Sequence, residues 1–230
     1  MSKTVLVTGI TGFIAKHVAL NLLNQGYAVR GTLRSMARAD EVRQTLQAQG
    51  ANVSNLSFVE ANLDEDRGWM EAVAGCDYVQ HIASPVPVSQ PRDREALVPM
   101  ARGGALRLLN AAQAADVKHI VVTSSLAAMA HRDDQPAIGS ITESDWSDPE
   151  GKHATAYIVS KTRAELAVWA WADEQGWTER VTTINPCYVL GPTLDTDISG
   201  SVMVVQLLMT GAYPLLPPIN LMLVDVRDVA

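Results

Sequence analysis

The sequence predicts an α/β chain built on a parallel sheet with helices on both faces, and three features predict it. Short apolar runs rich in β-branched residues alternate with longer segments of helical periodicity along nearly the whole chain. The first run closes on two glycines, Gly9 and Gly12, and passes directly into a helix pattern. No internal repeat or low-complexity segment breaks the alternation.

In chain order, Val5-Leu6-Val7-Thr8 is the first strand, and the helix after it carries Val18, Leu22 and Leu23 and ends at Gly26. Residues 27–33 form a second strand and 40–49 a polar-faced helix closed by Gly50. Residues 56–59 and 78–82 are further short strands, with a helix over 66–74 between them. A long helix over 94–115 carries Leu97, Leu106 and Leu109, its start blurred by Pro99 and the Gly103-Gly104 pair. A strand over 119–123, a polar stretch, a helix over 155–175 and a strand over 180–184 complete the alternation. Ligands in such a sheet sit at the carboxyl ends of the strands.

Bulk properties narrow the partners. A chain of 230 residues buries one good core. Its formal charge of −7 and pI near 5.2 repel polyphosphate, which argues against nucleic acid and anionic membrane while leaving room for a local basic site. Cys76 and Cys187 lack the close spacing of a zinc site or redox pair, so no metal is expected and the compartment reads as reducing, the cytoplasm. No apolar signal region opens the chain and no apolar run reaches membrane length, so no membrane association is expected.

Four groups of residues carry chemistry. At the first turn, Gly9 permits a sharp bend, Gly12 admits a ligand close to the backbone, and the N–H groups opening the helix favour a pyrophosphate. An ordinary strand-to-helix turn is the plain alternative, and glycine spacing alone does not decide. The second strand ends in Gly31-Thr32-Leu33-Arg34, with no acid before Asp40. In a dinucleotide-binding unit an acid there takes the ribose hydroxyls of NAD, whereas arginine accommodates the 2′-phosphate of NADP, so NADP(H) is favoured over NAD(H). A solvated loop charge is the alternative for Arg34. Tyr157 and Lys161 stand at i and i+4 and share a helix face, where a cation favours the phenolate and brings a phenol toward working range. Without context a Tyr snorkelling at a helix edge beside a surface Lys is the better explanation of that pair. Ser124 and Ser125 end the strand over 119–123, where a hydroxyl holds a substrate carbonyl unless it merely caps a turn.

Together these residues resemble the extended short-chain dehydrogenases/reductases, and within them the dihydroflavonol-reductase-like NADPH-dependent carbonyl reductases. The matching stretches run almost end to end: Thr8 to Ala15, Gly26 to Val29, Thr32-Leu33-Arg34, Gly75 to Asp77, His81 to Pro85, Val122 to Ser125, Tyr157 to Lys161, Asn185-Pro186, Gly191-Pro192 and Val224 to Ala230. The resemblance implies a Rossmann-type doubly wound parallel sheet and reversible hydride transfer between NADPH and an aldehyde or ketone. It implies Ser125 as the catalytic serine, Tyr157 as the acid that protonates the forming alkoxide, and Lys161 as its tuner and ribose ligand. Gly9, Gly12, Phe13 and Ile14 would surround the pyrophosphate, Ala83 and Ser84 would lie along the nicotinamide side, and Pro186 would border its ring. Asn62 and Leu63 occupy the position that reaches the adenine.

The chain departs from the family pattern at three points. Ala15 replaces a third glycine, an accepted change for helix packing. The asparagine many relatives carry early in the fourth helix is missing from Ala101 and Gly103, and Asn110 lies too late, so no four-residue proton relay is expected. Relatives continue beyond the equivalent of Ala230. The expected organisation is therefore a dinucleotide-binding domain over 1–190 that holds the catalytic residues, and over 191–230 the start of a truncated, incomplete substrate lobe. The polar stretch before Tyr157, with His131, Pro136, Gly139, Trp146, Pro149 and Gly151, is long enough to cover the site. His131 and His153 read as solvated. Met203, Leu207, Leu208 and Met209, with residues 214–218 behind them, read more readily as core than as a pocket wall. The expected substrate is a small apolar or aromatic carbonyl or alcohol. A sugar-nucleotide epimerase or dehydratase shares the same Ser, Tyr and Lys, and a non-catalytic dinucleotide-sensing regulator shares the fold. The helices over 94–115 and 155–175 could pair with their copies in a homodimer.

Overall fold

A computed structural model describes residues 2–86, 90–132, 140–212 and 221–230. Six parallel strands form the central sheet: β1 (Thr4–Val7), β2 (Ala28–Leu33), β3 (Leu56–Glu60), β4 (Tyr78–His81), β5 (His119–Thr123) and β6 (Val181–Ile184). Their spatial order is β3-β2-β1-β4-β5-β6. Val5 pairs with Val29 on one side and Tyr78 on the other, so β1 lies at the centre. The chain runs outward from β1 to β3, then returns to the opposite side of β1. That reversal leaves a crevice at the carboxyl ends of β1 and β4, where a doubly wound sheet binds its ligand.

Period-two alternation divides the core between the two faces. Leu6 enters one buried cluster with Val79, Ile120, Leu108 and Trp171, while Val5 and Val7 enter the other with Val18, Val29 and Leu46. The helices sort in the same way. α1 (Phe13–Asn24) and α2 (Ala39–Ala48) cover the second cluster, and α3 (Trp69–Val73), α4 (Val98–Ala114) and α5 (Ala156–Glu174) cover the first. Gly31 is glycine because the Ile10 side chain lies against β2, with Cδ1 2.5 Å from where a Cβ would stand.

Two expectations about helices change. α4 begins at Val98 rather than residue 94, because residues 94–97 form a turn and Pro99 fits only the first helical turn, where its missing N–H costs nothing. α6 (Gly200–Met209) holds the apolar stripe that read as core, yet none of its residues is buried, and Met203 and Met209 are 45% and 84% exposed. It rests on a second, two-stranded parallel sheet, β7 (Tyr188–Leu190) with β8 (Leu223–Asp225), and not on the central one. Ser201 Oγ donates to the Val189 carbonyl at 2.6 Å and fixes it there. A last turn, α7 (Val226–Val229), follows β8. Residues 214–218, and Pro136 and Gly139 of the covering stretch, lie outside the described residues.

The stretch after β7 reaches back across α1 and α2. Lys16, 3% exposed, pairs with Asp195 at 2.5 Å, His17 Nε2 lies 2.9 Å from the Pro192 carbonyl, and Arg38 meets Asp197 at 3.2 Å. No helix of the described residues is long and apolar enough to cross a membrane.

Candidate active site

The first turn is held by one threonine. Thr8 directly follows β1, and its Oγ1 accepts from the N–H groups of Ile82 and Ala83, both at 2.9 Å. With both lone pairs committed, the hydroxyl hydrogen goes to His81 Nδ1, 2.9 Å away, which fixes a neutral imidazole with its proton on Nε2. Burial, with the Lys161 charge adding to it, pushes His81 down to about 3 and keeps it neutral. Gly9 follows at φ +62°, a conformation glycine adopts without strain, and a Cβ there would stand 3.1 Å from Ala83. Thr8→Val leaves one imidazole nitrogen and two amides without partners. We expect it to destabilise the fold by about 2–4 kcal/mol, read as a lower midpoint in urea.

The N-terminus of α1 opens on this crevice. Gly12 caps it in extended conformation with no side-chain hydrogen bond, and the first turn holds no acid. Its orphan N–H groups, on Phe13 and Ile14 among others, therefore suit an anion, and the bare backbone at Gly12 lets one approach. Farther along the strand ends, Arg34 leaves β2 exposed, with no hydrogen bond or ion pair among the described residues. Arg38 is already committed, bidentate to Glu41 at 3.0 and 2.7 Å and bonded to Asp197. Asn62 and Leu63 follow β3. The Asn62 side chain accepts weakly from Asp64 N at 3.5 Å, and Leu63 packs where Gly104 of α4 has no Cβ.

The chemical groups gather at the end of β5. Ser125 caps a short turn, its Oγ accepting from Ala127 N at 3.1 Å, and its hydroxyl acts on the Tyr157 phenol, favouring loss of the phenolic proton. The turn is held from three sides. Leu126 N donates to the Pro186 carbonyl at 3.0 Å, Asn185 Nδ2 to the Ser125 carbonyl at 3.2 Å, and buried Ser147 to the Ala127 carbonyl at 2.8 Å. Thr155 caps α5, accepting from Ile158 N at 3.3 Å, so that Tyr157 falls in the first turn and Lys161 one turn later on the same face.

Lys161 is buried. Its Nζ lies 3.5 and 3.4 Å from the Thr123 and Ser124 carbonyls and 5.8 Å from the Tyr157 ring centre. Burial pushes it down to about 8, with Glu165 pulling the other way. Burial pushes Tyr157 up, opposed by the neighbouring Ser125 hydroxyl. The half-buried phenol therefore keeps its proton at neutral pH and is an acid in waiting rather than a base. Ala83 and Ser84 line a cleft of about 20 Å³ beside Lys161, room for roughly one water molecule.

Of the residues read from the sequence, Gly9 and Gly12 follow β1, Phe13 and Ile14 open α1, Ala83 and Ser84 follow β4, Ser125 follows β5, Pro186 follows β6, and Tyr157 and Lys161 stand in the first turns of α5, all on the carboxyl side of the sheet. Arg34 and Asn62-Leu63 stand apart from them, at the ends of β2 and β3. Sequence reasoning overlooked Glu165, 5% exposed, which accepts from Ser124 Oγ and from Asn185 Nδ2 at 2.7 Å. Its place four residues past Lys161, on the same helix face, was the only signal the sequence offered. Asn110 is occupied elsewhere, accepting from Trp171 Nε1 at 2.8 Å. His153 is exposed, as is His131. Among the described residues no three His, Cys, Asp or Glu cluster as a metal would need.

A doubly wound parallel sheet with an uncapped helix N-terminus at its switch point, and a Ser–Tyr pair with a buried Lys beside it, defines an extended short-chain dehydrogenase/reductase fold. Residues 5–211 match the NAD dependent epimerase/dehydratase family, and the chain belongs to it. It is 36% identical over 231 residues to cinnamoyl-CoA reductase 1 of Arabidopsis thaliana, covering 99% of this chain and 64% of that one. It is 33% identical over 230 residues to dihydroflavonol 4-reductase of Hordeum vulgare, covering 96% of this chain and 64% of that one. The crystal structure of yeast methylglyoxal/isovaleraldehyde reductase complexed with NADPH superposes with a TM-score of 0.83 at 27% identity, over 98% of this chain and 71% of that one. The chain thus spans about two thirds of the length of these relatives.

Proposed function

We propose that this chain carries the cofactor and acid–base half of an NADPH-dependent reductase that converts an aldehyde or ketone to an alcohol. The observation that carries the reading is buried Lys161 one helical turn past Tyr157 on α5, with Ser125 at the end of β5 close enough to act on the phenol. NADPH, when bound, supplies the hydride. The α1 N-terminus with Gly9, Gly12, Phe13 and Ile14 would hold its pyrophosphate, Arg34 its 2′-phosphate, Asn62 and Leu63 its adenine side, and Ala83, Ser84 and Pro186 its nicotinamide side. A related reductase is NADPH-bound in its crystal structure, which supports the cofactor assignment.

Ser125 orients the carbonyl oxygen, and Tyr157 gives that oxygen its phenolic proton as negative charge builds there. Lys161 places its ammonium behind the phenol, which favours loss of that proton when the transfer occurs. We propose a small apolar or aromatic carbonyl as substrate, in keeping with the exposed apolar side chains of α6. We also propose a cytoplasmic location, given two unpaired cysteines, and a homodimer through α4 and α5, where Leu166 is exposed.

Incubating the chain with NADPH and a panel of aliphatic and aryl carbonyls, and following loss of reduced-nicotinamide absorbance, tests the reading. Tight NADPH binding with no oxidation by any carbonyl overturns it. The pH dependence is a separate prediction. Lys161 is charged below about 8 and neutral above it, so kcat/KM for NADPH, which reports groups of the free enzyme, falls as pH rises through about 8. A profile that stays flat well above that value contradicts the role of Lys161.

A further inference from the structure

The proposed chemistry leaves one buried carboxylate without a task. Glu165 stands one helical turn beyond Lys161 and two beyond Tyr157 on α5. Its two donors, Ser124 Oγ and Asn185 Nδ2, are both neutral. Burying a carboxylate on neutral hydrogen bonds alone is costly, and a buried lysine with no opposite charge gives up its proton. The two groups line one cleft with His81 and Ser124.

We propose that Glu165 is a positioning residue of the site: its carboxylate, braced by Ser124 and Asn185, holds Lys161 in the charged form across the cleft and steadies the turn that carries Ser125. Every element around Lys161 bears on this. α5 presents Tyr157 and Glu165, β4 presents His81, and β5 presents the carbonyls of Thr123 and Ser124. α4 contributes only Ala101 and Ala105 to the cleft. His81 is neutral and the Tyr157 phenol protonated, so Glu165 supplies the negative charge that Lys161 faces among the described residues. The opposing effects of burial and Glu165 on Lys161 agree with this arrangement. Asn185 ties the two functions together, since its Nδ2 reaches both the carboxylate and the Ser125 carbonyl.

The test reads Lys161 directly. The full chain is labelled with carbon-13 at lysine Cε, the Lys161 signal is identified by its loss in Lys161→Met, and its titration is followed by NMR without cofactor. In Glu165→Gln the Lys161 midpoint falls by roughly one unit or more, a tenfold or greater loss of proton affinity. A midpoint unmoved in a folded Gln variant overturns the proposal. Should that variant fail to fold, Glu165→Met, which keeps the bulk without the charge, decides: the Lys161 midpoint falls in the same sense, whereas an unmoved midpoint overturns the proposal. The consequence for turnover, an alkaline limb shifted down with the midpoint, rests on the reductase reading. The titration does not, so a chain that titrates as expected yet oxidises no NADPH refutes that reading alone.

Discussion

Tyr157→Phe lowers kcat for NADPH-dependent carbonyl reduction by roughly 100- to 10,000-fold, the range that general acid catalysis commands. The ring is retained, so its packing at the start of α5 and the distance to Lys161 persist, and only the phenolic proton is lost. NADPH affinity, set by groups at the ends of β1 to β4, changes by no more than about twofold. The split between turnover and binding is what assigns the loss to the chemical step and not to folding. Burial sharpens the expectation. Because burial raises the phenol above its ordinary pKa, the proton to be transferred is in place at neutral pH. Turnover that survives the substitution contradicts the mechanism more severely than any result with a particular substrate.

Arg34→Glu raises KM for NADPH by roughly 100-fold and leaves KM for NADH within about threefold. A charge-assisted contact to a phosphate contributes about 1.5–3 kcal/mol, and reversing the charge adds repulsion to its loss. The structure makes Arg34 the cation available at the end of β2. Arg38 is held by Glu41 and Asp197 and would have to leave both before it could meet a phosphate. Steady-state kinetics with the two cofactors gives the answer, and equal effects on both would remove Arg34 from the 2′-phosphate site.

Most of the sheet was legible because its strands are short, apolar and rich in β-branched residues, and because turns at Gly26, Gly50 and Gly176 punctuate the helices. The Gly9–Gly12 turn, Ser125, and the Tyr157–Lys161 spacing were legible for the same local reason: each lies within one turn or one helix face. What escaped depended on contacts between residues far apart in the chain. β7 and β8 are three residues each and pair across more than thirty positions, a signal too brief for periodicity. The fate of the α6 stripe depends on what covers it, and residue pattern does not encode that. The direction of the Tyr157 shift required knowing that burial of the phenol outweighs the effect of the Ser125 hydroxyl. Glu165 had an ordinary helical spacing, and only the fold shows that its carboxylate points at Ser124 and Asn185 and not at solvent.

The central claim is that this crevice passes a hydride from NADPH to a carbonyl carbon. Reduction of an accepted aldehyde with NADPH deuterated at nicotinamide C4, in each of its two stereoisomers in turn, tests it most directly through the mass of the alcohol formed. The account predicts that one stereoisomer delivers a single deuterium to the carbinol carbon, with one alcohol formed for each NADPH consumed. An alcohol free of deuterium from both stereoisomers, or label retained on the cofactor throughout, would contradict it.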